Sequence, residues 1–518
     1  MQFNIGKSKK EKSFNWFMAF LLLIFLILYT QNITGWLIHD DEGGYLYQVW
    51  RMSEGDVPYK DFYSPKEPLF LFTGYLIFKL FGPSVFWLRM FTVATTIFTA
   101  YFIFLIGKRL YYEKIAVLAS LLYLFLPVVC FQARLFRSDA HVVFFSILGL
   151  FFFLKAWQDK TRSFFFLSGI FYAMALGYKL AAVLGVVTLL LFIAYQAAVE
   201  RKISAFLYSF LPFVSGFLIT AGVISAIVLS VSPSFLDCLM NHQLKQPLLS
   251  SINVSVTLKN NLKDFFMINY GRYGLPDTHP WLIILSLPIL IRYLFIVKEE
   301  KKILTFYVFG FVVLFFSPYP GEILRYLLYF LPVAVLVFSS IVFYLFSRER
   351  PAIVRILALA VSFFILAKML VPALMKDKVI FSAKENGTLA FAEYIKKHTA
   401  DDDYVVADYG DILFHARRKT TPFMAAMSKS AVDSGVITSD KLIRELQKYR
   451  VKMILIHREG GIARDLGYYL GNPYEPHHFS ALISSKDGSK FVSYFSREYQ
   501  FITNYNRSGQ IFGVYVRK

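Results

Sequence analysis

The sequence predicts a mainly α polytopic membrane protein with a small α/β domain at its C-terminal end. Three observations carry that prediction. The 518 residues are 56% hydrophobic and only 17% charged, against about a quarter charged in soluble domains. Their mean hydropathy is +0.50. Apolar runs of about 20 residues, long enough to cross a bilayer, recur over the first 370 residues and stop there.

The runs lie near 15–37, 84–107, 115–133, 140–157, 164–178, 180–198, 205–230, 281–297, 303–318, 323–346 and 352–372, so about eleven spans are expected. Alternate loops between them are basic: GKRLYYEK at 107–114, QDKTRS at 158–163, ERK at 200–202, KEEKK at 298–302 and SRERP at 347–351. With the N-terminal KSKKEK in the cytoplasm, all five fall on the inside. The first external loop (38–83), the region of Asp139, a second large loop (231–280) and everything after about 375 then fall outside. This gives a membrane domain over 1–375 and a soluble extracytoplasmic domain over 376–518. The first run has no small-residue cleavage site and is too long for a signal peptide, so it reads as an uncleaved anchor in the plasma (inner) membrane.

The net charge of +20 follows from these basic loops, and nucleic-acid binding is not expected. Cys130 and Cys238 are too few for a disulfide scaffold. No metal-ligand spacing appears, so no metal site is assigned. In the tail, AFAEYIKKH and SDKLIRELQKYR read as helices, the second capped by Ser439. DYVVAD and KMILIH read as buried strands and GIARDLGYYL as a helix. FVSYFSREYQFITNYN and IFGVYVRK read as terminal strands.

Chemistry concentrates in the first external loop. Asp40, Asp41 and Glu42 stand together after the first span, and ionisable groups beside a bilayer are costly and usually functional. Residues 42–53 have the spacing of an amphipathic helix lying in the interface. One of Asp40 and Asp41 can cap that helix, but capping uses one acid and three are present. Asp139, in RLFRSDAHVVFF, is a second acid at the outer face, read either as a cap beside Ser138 or as a partner of the first cluster. His141 reads as interfacial. Lys66, between Pro65 and Pro68, is the first candidate to hold an anion. Arg325 is the second, and Lys245 and Lys179 follow; snorkelling is the alternative for the long cations. Arg89 and Arg134 read as partners of acids.

At these residues the chain resembles the GT-C type membrane glycosyltransferases, in the branch of the protein O-mannosyltransferases and the lipid A aminoarabinose transferase. The resemblance covers roughly residues 15–200. It rests on Asp41-Glu42 after the first span, Tyr-x-Asp-Phe-Tyr-x-Pro-Lys-x-Pro-Leu at 59–69, Phe-Gly-Pro-Ser-x-x-x-Leu-Arg at 81–89, Gly-Lys-Arg-Leu at 107–110 and Arg-x-x-x-x-Asp-Ala at 134–140. It implies a polyprenyl-phosphate sugar as donor, an external active site and an acidic base, Asp41 first, with Asp40 or Glu42 as fallback. The aminoarabinose transferases carry Asp-Glu-x-Arg-Tyr, whereas this chain has Gly44 in place of that arginine, so the donor phosphate must find its charge elsewhere.

The chemistry agrees independently. Leaving phosphate departs as an anion and needs cations where charge grows, and the attacking hydroxyl needs a base. One carboxylate and one or two Lys or Arg suffice. The expected function is inverting transfer of a single sugar to a hydroxyl or phosphate of a glycolipid, protein or cell-wall polymer. Membrane lipids are partners; no cofactor is certain, and a divalent metal bridging acids and phosphate stays open. The alternative is a membrane transporter or lipid flippase, which would place ionisable groups near the midplane. A non-catalytic scaffold and an oligosaccharyltransferase are further alternatives.

Overall fold

The computed structural model describes residues 4–35, 40–238, 279–296, 299–316, 327–346, short stretches between 351 and 360, 387–426, most of 431–458, Leu482, 486–507 and 510–518. Helices dominate to residue 345 and a small sheet closes the chain. The first half runs α1 (Asn4–Thr30), α2 (Asp40–Ser53), α3 (Pro68–Phe81), α4 (Val85–Leu110), α5 (Glu113–Phe125), α6 (Pro127–Gln132), α7 (Ser138–Asp159), α8 (Arg162–Tyr178), α9 (Val183–Glu200) and α10 (Ile203–Val231). Then come α11 (His279–Ile296), α12 (Glu299–Phe316) and α13 (Leu331–Leu345).

Among the described residues, four helical stretches are long and apolar enough to cross a membrane: 85–110, 138–159, 180–200 and 203–231. The difference from eleven has local causes. The run at 115–133 is broken at Leu126, whose ψ of 124° is the extended backbone that a following proline imposes, so α5 and α6 are separate. Helices α1 and α13 are apolar over shorter stretches. The run at 352–372 lies almost wholly outside the described residues. The loop 38–83 is not irregular, since it holds both α2 and the apolar α3.

Burial orders the bundle. The apolar window of α7 is 78% buried and that of α10 only 11%, so α7 is central and α10 faces outward. Between them sits α8, pressed against α10 where a Cβ on Gly169 would strike the Phe213 carbonyl. Small residues permit such backbone approach in membranes.

After residue 387 come α14 (Thr388–His398), β1 (Val405–Ala407), α15 (Gly410–Ala416), α16 (Ser439–Lys448), β2 (Met453–Arg458), α17 (Gly488–Glu498), β3 (Tyr499–Arg507) and β4 (Gln510–Arg517). The sheet order is β1-β2-β4-β3. β1 and β2 are parallel, and the other two pairings are antiparallel. Two expectations change. The cap of α16 is Thr438, whose hydroxyl accepts the Lys441 N–H at 3.4 Å, and Ser439 is the first helical residue. FVSYFSRE is helical rather than strand: Phe491 and Tyr494 are buried three apart, with Phe495 packed beside them, which is helical period. Aromatic content had favoured a strand. The helix expected at GIARDLGYYL lies outside the described residues.

Candidate active site

Helix α2 sets the site. It begins at Asp40, which places Asp41 and Glu42 in its first turn rather than at a cap. It does not lie in an open interface. Tyr45, Leu46, Val49 and Trp50 are buried, as are Gln48 and Arg51, because α3 covers one face and α15 the other. The α15 contact is backbone to backbone: a Cβ on Gly410 would lie 2.9 Å from the Gly43 carbonyl oxygen. Gly43 and Gly44 are thus the surface on which the C-terminal region rests. Asp411 at the start of α15 is clamped by Arg507 (Oδ2 to Nη2, 2.5 Å).

The two adjacent acids differ sharply. Glu42 is fully buried. It accepts two bonds from Arg89, 2.8 Å to Nε and 2.6 Å to Nη2, and a third from the Phe136 N–H at 2.8 Å. Arg89 donates in turn to the Ile33 carbonyl at 2.6 Å. Both oxygens of Glu42 are therefore occupied by donors, a geometry that ties α2, α4 and the 133–137 segment together. Asp41 has a side chain 40% exposed, and its Oδ2 lies 2.9 Å from Nη2 of Arg137. It is a held carboxylate that solvent or substrate can reach.

Asp139 is almost fully buried in the first turn of α7. Its helix is capped by Arg137, which makes no side-chain cap bond. Asp139 instead pairs with Lys179 (2.7 Å) and accepts from the Tyr329 hydroxyl (3.1 Å), with Arg137 Nε at 3.7 Å. Arg137 therefore bridges Asp41 and Asp139, so the two acid regions lie in one network. Its backbone is extended (φ −135°, ψ 151°) immediately ahead of α7.

Lys66 joins the same network. Its ammonium sits 5.0 Å over the Tyr45 ring, a cation–π distance. Its main chain is pinned: the Tyr59 hydroxyl donates to the Lys66 carbonyl (2.6 Å), and the Lys66 N–H donates to Ser64 Oγ (3.2 Å), which donates to Gln48 (2.7 Å). Burial pulls the Lys66 pKa down, but Tyr45, Asp41 and Glu67 outweigh it and lift it above its ordinary value. Lys66 is thus a cation within electrostatic reach of Asp41. Glu67 begins α3 with extended backbone ahead of Pro68 and accepts the Leu180 N–H at 2.8 Å. Burial raises its pKa against the opposing pull of Lys66.

The structure thus brings together Asp41, Asp139, Lys66 and Lys179, and adds Arg137, Glu67, Tyr45 and Tyr329, which sequence reasoning missed. Arg137 was overlooked beside Arg134, yet it stands just ahead of α7, with its Nε 3.7 Å from the carboxylate of Asp139 in the first helical turn. Asp40 opens α2. Arg325 and Lys245 lie outside the described residues. His141 is not interfacial: it is fully buried among Phe91, Phe136 and Tyr178. Arg89 pairs with an acid as expected; Arg134 donates to the carbonyls of Leu28 (3.0 Å) and Tyr29 (3.3 Å). Cys130 and Cys238 form no disulfide. Among the described residues no group of three or more His, Cys, Asp or Glu converges as a metal site.

Residues 64–228 match the family model of the dolichyl-phosphate-mannose-protein mannosyltransferases. Apo ArnT from Cupriavidus metallidurans superposes with a TM-score of 0.63 at 12% identity, covering 98% of each chain. The same protein bound to undecaprenyl phosphate gives 0.62 at 12% identity, over 97% of this chain and 98% of that one. The Archaeoglobus fulgidus oligosaccharyltransferase with Zn and sulfate gives 0.60 at 12% identity, over 95% of this chain and 72% of that one. No curated protein matches at the sequence level. The expected resemblance and fold class hold: the architecture is that of these GT-C proteins, on a multi-pass helical scaffold.

Proposed function

We propose that this chain, which has the GT-C fold, is an integral membrane glycosyltransferase that moves one sugar from a polyprenyl-phosphate donor to an acceptor hydroxyl or phosphate. The observation that carries the reading is the pairing of a half-exposed acid with a pinned cation: Asp41 on Arg137, within electrostatic reach of Lys66. Undecaprenyl phosphate on ArnT supports a lipid-phosphate donor.

In this mechanism the acceptor O–H loses its proton to Asp41 as its oxygen attacks C1 of the sugar. The C1–O bond to phosphate breaks, and both electrons leave with the phosphate. Lys66 faces the charge that develops there. Arg137 holds Asp41 in place. Glu42 does not suit the base role, since three donors already fill its oxygens. Asp139 acts by fixing Arg137 and Lys179 rather than by moving a proton, and Lys179 reaches the phosphate only by sharing itself with Asp139. Direct displacement inverts the anomeric centre. The reaction faces the outside of the plasma membrane, with residues 1–375 as catalytic membrane domain, 376–518 outside and the N-terminus in the cytoplasm.

Mass spectrometry of the purified full-length protein tests the class. A co-purified polyprenyl-phosphate sugar is expected and names the donor. Failure of the protein to bind added polyprenyl-phosphate sugars, together with gradient-driven uptake in vesicles, overturns the reading.

A further inference from the structure

From Asp41 to Met52, every residue of α2 is buried except two, Asp41 and Gly44. They stand three apart, so they adjoin on one strip of helix surface. Beyond Gly44, α3 and α15 close over the helix. Solvent therefore reaches this part of α2 through a window about one turn high, and Asp41 lies in it.

The two glycines of α2 have different reasons to be glycine. A Cβ on Gly43 would lie 2.9 Å from the Asp411 backbone nitrogen, so packing against α15 explains that position. A Cβ on Gly44 would meet nothing within 4 Å. Its backbone is helical, so no left-handed conformation calls for glycine there. Glycine inside a helix is less favourable than alanine, and neither packing nor backbone geometry offsets that at position 44. What Gly44 provides is the space itself. On one side that space borders α15, since a Cβ on Gly410 would lie 2.9 Å from the Gly44 Cα.

Helix geometry puts the space beside Asp41. Helical side chains lean toward the N-terminus and cover the preceding turn. Position 44 lies about 60° to one side of Asp41, and Tyr45 about 40° to the other. The Tyr45 flank is filled and cationic, because the Lys66 ammonium sits 5.0 Å over that ring. The Gly44 flank is open. Displacement at C1 with inversion brings the nucleophile to the face opposite the leaving group. With the phosphate at Lys66, the attacking oxygen comes from the flank away from Lys66. Resting on the glycosyltransferase reading above, we infer that Gly44 is the acceptor gate: its missing side chain leaves the opening through which the acceptor hydroxyl reaches Asp41, and position 44 limits the size of the group that carries it. The opening suits a hydroxyl borne on a sugar ring or a carbon chain, since water needs no gap the size of a side chain. The hydroxyl gives its proton to Asp41 as its oxygen bonds C1 and the C1–O bond to phosphate breaks.

The test uses the full-length protein, with Gly44→Ala and Gly44→Leu as a size series. In nanodiscs, Gly44→Ala unfolds at or above the wild-type temperature, because a helix favours alanine and nothing obstructs the methyl group. Both variants bind undecaprenyl phosphate with wild-type affinity. In membranes of native cells whose only copy is the variant, consumption of the endogenous polyprenyl-phosphate sugar is followed by mass spectrometry. It slows slightly in Gly44→Ala and at least roughly tenfold in Gly44→Leu, as a displaced nucleophile requires. The alanine variant keeps the test decisive should the leucine variant misfold. A lowered unfolding temperature in Gly44→Ala makes Gly44 a packing residue and overturns the gate. Weaker undecaprenyl phosphate binding in a folded Gly44→Leu puts the space on the donor side and overturns it too, as does wild-type consumption in both variants. Failure of the wild type to bind undecaprenyl phosphate is the separate result that overturns the glycosyltransferase reading itself.

Discussion

Glu42 and Arg89 form a fully buried, bidentate ion pair immediately beside Asp41, whose side chain is 40% exposed. Neighbouring acids on one helical turn thus have opposite environments. Breaking a buried pair from one side leaves a desolvated charge and costs about 3–5 kcal/mol. Asp41 is half in solvent, and its buried partner Arg137 keeps the Asp139 carboxylate 3.7 Å away, so neutralising Asp41 carries a much smaller penalty. Glu42→Gln should therefore lower the thermal unfolding midpoint sharply and reduce expression. Asp41→Asn should fold with near-normal stability and lose transfer by about 10²–10⁴-fold, the usual value of a general base. Transfer near the wild-type rate in Asp41→Asn would remove Asp41 from the mechanism.

Lys66→Met keeps the apolar stem over Tyr45 and removes only the charge. Its expected effect is weaker binding of undecaprenyl phosphate by about tenfold or more, since hydrogen bonds to charged groups are worth about 1.5–3 kcal/mol. Acceptor affinity should not move. Unchanged lipid-phosphate affinity, measured by equilibrium binding, would make Lys66 a purely structural partner of Tyr45.

The membrane bundle and the first-loop acids were legible in the sequence because both leave linear traces: apolar length, basic loop alternation, and consecutive carboxylates. The partners of those acids were not. Arg137 reaches Asp41 across almost one hundred residues of sequence, and Glu42 meets Arg89 from another helix; such pairings depend on packing that no periodicity encodes. The covering of α2 by α15 was hidden for the same reason. Its trace is two glycines far apart in sequence, Gly43 and Gly410, whose backbones touch. The tail helix α17 was misread because aromatic content outweighed a correct three-and-four spacing, a local error of weighting rather than a lack of signal.

Glu445 gives the C-terminal region a defined pH response. Burial raises its pKa above the ordinary carboxylate value, opposed by the Phe423 N–H that it accepts and by the charge of Lys448. A raised folded-state pKa means that the folded protein binds more protons than the unfolded chain between the unfolded value, about 4.3, and the raised one. Stability then falls as pH rises through that window. The favourable contribution is complete below the unfolded value and is lost above the folded one, where a buried carboxylate must carry charge. Glu445→Gln is neutral at every pH and keeps one acceptor for the Phe423 N–H. Relative to wild type, the variant should be no more stable at pH 4 and progressively more stable toward pH 8, read from thermal unfolding midpoints of the full-length protein. A variant-to-wild-type difference that is the same at both pH values would show that Glu445 ionisation is not coupled to folding, and that its bond to the Phe423 N–H holds equally well in either charge state.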